Sequence, residues 1–496
     1  MRYIGPFFRM NSLSQKEICG QLFYFSKEAV KTLVLNSKCG FIYSSRNTKK
    51  TSSNKDISIL SKFSPLLCLY KKATPEFVHG KISNGFDSSS FKRELIPYTN
   101  ALMTLSLLEL SDFYSAFNDN SLENEYCLGY RELCKEQLDF YYENLRNSEG
   151  IFVTKKNNIN NSSKVMSLVD KNRKFIFSDQ AFMMNAYYLY STYADDPELE
   201  SEFKSFSLQI LQMFLDYKDA LYNLSFEEGL KTLLAFNVFY DYSNREDVLP
   251  LITDLSEFLC DKFSEKDYFE ESLDCCALLS INLMYSFEHT NILMFKEKYT
   301  EISDKLISLY DEDNGLIEKL NTKKELKYSS FDICFYFLSI LLYSKKTNSE
   351  SEFKPMISSI YKKFILNSNI ITSWPEAPNL DSSERYRNFS LLSKDMIDET
   401  FFRMPNLPSP ESSGVSPSFL KEISYSIKKD EFSSSRRTFD SGRNMLIFFL
   451  MIHTLKDGYY DELDIKDKIN KKSYTPLEIE LSGNQNEEDK VNDKNK

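Results

Sequence analysis

The stretch FSDQAFMMNAYYLYSTYADDPELESEFKSFSLQILQMFLD, Phe177 to Asp216, holds two helices of different character joined by a short link. Its first part, AFMMNAYYLY, is apolar almost all round, which marks a helix enclosed by other helices. Its second part, ELESEFKSFSLQILQMFLD, keeps one polar face and so belongs to an outer layer. The link ADDP at 194–197 is short enough to make the two helices antiparallel neighbours. At the front, Phe177-Ser178-Asp179 sets an aromatic residue before a hydroxyl and a carboxylate, the groups that the orphan N–H donors and the dipole of a helix N-terminus favour.

Working outward, the same kind of start recurs at Phe86-Asp87-Ser88, Phe226-Glu227-Glu228, Phe269-Glu270-Glu271, Tyr328-Ser329-Ser330 and Phe439-Asp440-Ser441. Enclosed helices are expected over 87–117, 178–194, 227–243, 270–287, 329–345 and 440–456. Amphipathic ones are expected over 13–35, 123–147, 197–219, 245–265, 292–311 and 350–367. Pairing each amphipathic helix with the apolar run that follows it makes six two-helix units, an inner ring wrapped by an outer ring. The fold class is therefore all-α, and 40 Phe and 31 Tyr against 13 Gly and 14 Pro suit long packed helices better than turn-rich sheets.

Links from enclosed to amphipathic helices are short, whereas the reverse links are longer and carry turns with β-prone tails, as in NSEGIFVTKK and DEDNGLIEK. Three are very long, at 36–86, 148–176 and 368–439. Alternation places all of these on one rim, which leaves the other plain. Elaborated loops on one face of a regular scaffold are where binding and catalysis usually sit. One ring domain is expected over 1–477, followed by a charged, aromatic-free and disordered acidic tail over 478–496.

A formal charge of −11 argues against a general nucleic-acid or anionic-membrane binder, which needs a basic footprint. The nine cysteines are scattered without C-x-x-C, as small hydrophobes in a reducing compartment would be. MRYIGPFFRMNSLSQKE has no signal-peptide apolar core, and the longest apolar run, Met445 to Ile452, is too short to span a bilayer. A cytoplasmic protein with no membrane partner is expected.

The six repeats resemble the six-hairpin (α/α)6-toroid superfamily, over roughly residues 13–456. Glucoamylase-like and other glycoside hydrolases, unsaturated glucuronyl hydrolases, sugar epimerases and the helical portion of thioredoxin-fused proteins of uncertain role belong to it. The resemblance is one of architecture. It implies an (α/α)6 toroid with its site in the funnel where the inner helices begin, and hence on the elaborated rim.

The acids available there are Asp87, Asp179, Glu227, Glu228, Glu270, Glu271 and Asp440, with Asp274 and Asp332 about one turn further in. Glycoside hydrolysis needs two carboxyl groups, one protonated and one ionised, across the scissile bond. Asp179 and Asp440 are the expected catalytic pair, since each begins an apolar helix after a long rim loop. Helix capping competes for every one of these acids. Glu227 and Glu270 are expected on the substrate side. Arg443, one turn beyond Asp440, is placed to meet a carboxylate or phosphate on a ligand. Trp374, the only tryptophan, is expected as a stacking platform in NIITSWPEAPN, with Glu376 beside it, although anchoring its loop is the competing duty.

His79 is expected on the rim loop, and His289 and His453 towards the plain rim, away from the site. That departs from the paired-histidine site of sugar epimerases and from the zinc site of toroidal cyclases. No metal constellation, nucleotide-binding loop or nucleophile elbow is present, so no metal or cofactor is expected. Two functions follow: a carbohydrate-active hydrolase using rim carboxylates, or a non-catalytic toroid that binds a glycan, peptide or protein partner through 404–418 and 433–443. Isomerase or lyase chemistry on a sugar is weaker for want of placed histidines.

Overall fold

The computed structural model describes residues 15–43, 58–79, 84–116, 122–158, 167–319, 325–375, 414–434 and 437–456. Glu376, most of 404–418 and the tail 478–496 lie outside them. Of the described residues, 64% are helical. Twelve helices carry the fold: α1 Gln15–Asn36, α2 Pro97–Ser115, α3 Leu122–Asn144, α4 Phe177–Ser191, α5 Pro197–Asp216, α6 Phe226–Ser243, α7 Leu249–Ser264, α8 Leu273–Thr290, α9 Leu293–Ser308, α10 Ser330–Lys346, α11 Glu350–Ile360 and α12 Ser441–Leu455.

The even-numbered helices form the inner ring, each packed on the next, with α12 closing on α2. Burial separates the layers as the side-chain pattern requires. In α4 every residue but Phe177 is buried, whereas in α5 only Phe203, Ser207, Leu211 and Phe214 are, a single stripe at helical spacing. Buried asparagines tie inner neighbours together. Asn185 donates to the Ala235 carbonyl (2.8 Å), Asn282 to that of Leu230 (3.1 Å) and Asn237 to that of Asn282 (3.3 Å). Each gives a buried side-chain N–H an acceptor, without which it would cost stability.

The hairpins differ from expectation in phase. Every inner helix except α10, which packs equally on both sides, packs more with the outer helix after it than with the one before, because the short inner-to-outer links hold those pairs tightly. Asn244 and Asn291, left-handed at φ 48° and 57°, end α6 and α8 for such turns. The sixth unit is therefore α12 with α1. Ser26 donates to the Met451 sulfur (3.3 Å), and Tyr361 donates to Gln21 (2.6 Å) from the π-helical turn Tyr361–Leu366 that prolongs α11.

All strands among the described residues lie in outer-to-inner connections, where they form two- and three-stranded ribbons. The largest pairs 325–329 with 422–426, and 422–426 with 431–434. One rim is built up and the other is plain. Two of the six starts do something other than open an inner helix. Phe86-Asp87-Ser88 leads into the 3-10 turn Ser88–Ser90, capped by Asp87, and α2 begins only at Pro97. Phe269-Glu270-Glu271 lies in the short turn Tyr268–Glu271, separated from α8 by Ser272. Cap chemistry is local and serves any helical turn, so it cannot distinguish these from a ring helix.

None of the nine cysteines forms a disulfide, and eight of them are buried. No helix among the described residues is long and apolar enough to cross a membrane.

Candidate functional site

At the elaborated rim the first turns of the inner helices converge, and their acids cap one another around the ring. Neither α2 nor α4 has a capping side chain at its own N-terminus. Instead Asp179 of α4 accepts the Tyr98 N–H of α2 (2.9 Å), and Glu228 of α6 accepts the Ser178 N–H of α4 (2.8 Å). Ser329 and Asp332 form a capping box on α10. Asp440 caps α12 by accepting the Arg443 N–H (3.2 Å), and its other oxygen pairs with Lys72 (3.5 Å).

These acids sit in contrasting electrostatic states. Asp179 is 1% exposed; burial, with some repulsion from Glu228, pushes it up to about 8, and its second oxygen has no partner. Asp274 is half-buried and raised to about 6, first by desolvation and then by the charge of Asp332. Glu227 lies below the usual carboxylate range, held there chiefly by the Lys231 ammonium (2.7 Å) and also by Arg443. Its charge in turn raises Asp274, so the two carboxyls share one neighbourhood and prefer opposite protonation states. Asp332 is neutralised by Lys319 (2.8 Å).

Arg443 lays its guanidinium over the Phe331 ring (4.1 Å), and its Nη1 is buried without a partner. Tyr98 completes this face. A Cβ on Gly442 would stand 2.4 Å from the Tyr98 hydroxyl oxygen, which explains why α12 opens with glycine there. Below Tyr98 the ring axis is filled by aromatic contacts, Tyr98 to Phe182 (6.5 Å), Phe182 to Phe449 (6.4 Å) and Phe449 to His453 (5.5 Å). The arrangement is therefore a shallow bowl over a plugged axis.

The remaining expected site residues lie elsewhere. Trp374 is 7% exposed and packs edge-on against Phe25 (5.1 Å), so its faces are spent on the core and it anchors its loop. Glu270 is exposed on the turn before α8. A cleft of about 810 Å³, lined by Ser358, Lys362, Tyr425 and Phe432 among others, contains none of the rim acids.

At the plain rim, His289 and His453 join a second polar cluster. His453 sits between Glu109 (2.8 Å) and Asp241 (3.2 Å), and Asp241 also meets His289 (2.8 Å). Glu109 accepts from Tyr242 (2.6 Å) and pairs with Lys456. Burial opposes ionisation of Glu109, but Lys456 and His453 hold it well below the usual carboxylate range. His453 is raised to about 9: burial works against its charge, and the bonds to Asp241 and Glu109 prevail. No group of three or more His, Cys, Asp or Glu among the described residues is arranged to hold a metal ion.

No protein-family model matches the sequence, and no curated protein is similar to it. Among solved structures, a D-mannose isomerase superposes with a TM-score of 0.50 at 8% identity, covering 90% of this chain and 100% of that one. The chain is an (α/α)6 toroid. Two further matches are an endoglucanase from the termite Nasutitermes takasagoensis (TM-score 0.47, 12% identity, 90% and 100% covered) and a cellobiose 2-epimerase from Spirochaeta thermophila (0.47, 9%, 78% and 91%). At these identities the likeness is one of fold, and what the toroid does must be argued from its own residues.

Proposed function

We propose that this toroid is a carbohydrate-active hydrolase whose general acid is Asp274 and whose ionised carboxylate is Glu227. The observation that carries the reading is their divergence: one desolvated carboxyl titrating near 6 beside another held ionised by Lys231. Glycosidic cleavage asks for this division, with a proton delivered to the leaving oxygen and a negative charge available at the anomeric centre or its attacking water. The carbohydrate enzymes named above share the scaffold and are consistent with such a substrate.

In this reading Asp179 and Asp440, the pair expected from the sequence, are positioning residues. Asp179 fixes the Tyr98 backbone, and Asp440 fixes the first turn that carries Arg443. Arg443 and Glu227 border the substrate, while Trp374 holds the rim loop to the body.

A panel of aryl glycosides and oligosaccharides, assayed with wild type, Asp274→Asn and Glu227→Gln, tests the proposal. Each substitution is expected to lower kcat roughly 100-fold or more, with wild-type activity falling as pH rises through about 6 because Asp274 must be protonated. Hydrolysis that survives both substitutions overturns the assignment. Sugar binding without hydrolysis would instead assign the non-catalytic reading, which the aromatic plug favours.

A further inference from the structure

The cations of the elaborated rim are unequally provided for. Lys231 has Glu227 at 2.7 Å, Lys319 has Asp332 at 2.8 Å and Lys72 has Asp440 at 3.5 Å. Arg443 has no such partner: among the described residues its half-buried guanidinium forms no ion pair and no hydrogen bond, and only the Phe331 ring lies against it. A guanidinium carries five N–H donors in a planar fork, and taking it out of water unpaired is costly unless something else supplies the acceptors.

The neighbouring acids do not fill that role. Glu227 is committed to Lys231, and Asp274 directs one oxygen to the Cys275 N–H (3.0 Å). Arg443 is also held rigidly, since its own N–H is capped by Asp440 and its side chain is flattened on Phe331. A fixed planar fork on an aromatic face is suited to a planar or tetrahedral oxyanion approaching from the open side. Glu227 and Asp274 feel the charge of Arg443 without bonding to it, so the guanidinium keeps its hydrogen-bonding capacity open.

We propose that the bowl accepts a sugar bearing an anionic group, carboxylate or phosphate, and that Arg443 is the receptor for that group. This rests on the carbohydrate reading above and narrows it. The overall charge of −11 disfavours extended polyanions, so a single charge on a small glycan is the fitting partner. A neutral sugar offers the guanidinium only uncharged acceptors, which bond it about half as strongly as an ionised group does.

Calorimetric titration of the full chain with methyl glucoside, methyl glucuronide and glucose 6-phosphate, repeated with Arg443→Gln and Arg443→Lys, tests it. Wild type is expected to bind at least one anionic sugar about ten-fold more tightly than the neutral glucoside, the scale of one charge-assisted contact. Whichever anionic sugar binds more tightly identifies the group as carboxylate or phosphate. Arg443→Gln is expected to erase the preference and Arg443→Lys to keep part of it, with unchanged helical circular dichroism in both. Equal affinity for neutral and anionic sugars, or a preference that survives Arg443→Gln, overturns the inference and leaves the carbohydrate reading standing. No binding of any sugar to wild type removes both.

Discussion

At the plain rim the Glu109 carboxylate collects Tyr242, His453 and Lys456, whereas at the elaborated rim Arg443 offers a whole guanidinium and no described residue accepts it. Two aspartates show the same contrast. Asp241 is shared by two imidazoles, while Asp179 keeps an oxygen buried and unpaired. Both ends are built from the two ends of the same inner helices. What differs is whether the polar groups complete one another. The closed set joins α2, α6, α8 and α12 and works as a clasp; the open set leaves hydrogen-bonding capacity for something that is not part of the chain.

Glu109→Ala should break the contrast most severely. It would leave His453 and Lys456 facing an apolar gap, at a cost of about 3–5 kcal/mol, read as a lower midpoint in urea denaturation. A cost under about 1 kcal/mol would mean that the plain rim is no clasp.

The pH dependence of stability comes next. His453 is raised from 6.5 unfolded to about 9 folded, so its contribution is fully present below 6.5 and is lost as pH rises through about 9. His453→Gln should be less stable than wild type at pH 6, and the two curves should converge above pH 9. Parallel curves would show that the imidazole charge is not what stabilises this end.

The smallest effect has the opposite sign. Asp179 ionises at 3.8 unfolded but near 8 folded, so wild type gives up stability as pH climbs between those values. Asp179→Asn keeps an acceptor for the Tyr98 N–H and escapes that loss. It should match wild type at pH 4 and exceed it by on the order of 1 kcal/mol or more at pH 8. A variant less stable than wild type at pH 8 would show that the carboxylate is satisfied in solution.

The double ring was legible because enclosed helices are apolar on every face, as AFMMNAYYLY is, and because short links force antiparallel neighbours. The plain rim could be located for the same reason, since His289 and His453 lie in last turns. What escaped sequence reading was long-range. Asp179 looked like the start of its own helix, yet it caps a helix 81 residues away. Asp274 lay among the available acids without standing out, although an acid inside LDCCALL is already surrounded by apolar side chains that would desolvate it. Asp241 offered a missed signal as well. An acid in the last turn of an inner helix opposes the dipole and calls for a cation, which the two histidines provide. Trp374 was ambiguous because a large aromatic suits a sugar platform and a buried anchor equally, and only its contact with Phe25 separates them.

The sixth hairpin, α12 with α1, has a consequence for how the chain comes into being. Its partners are joined by the contact of Ser26 with Met451, 425 positions apart. During synthesis five hairpins can form as the ribosome releases them, but α1 must wait, its apolar face uncovered, until α12 emerges. Such a contact closes a loop of nearly the whole described chain and should form last. The seam between first and last helices is therefore the point at which an incomplete ring stays open to chaperones, proteases and association with other unfinished chains.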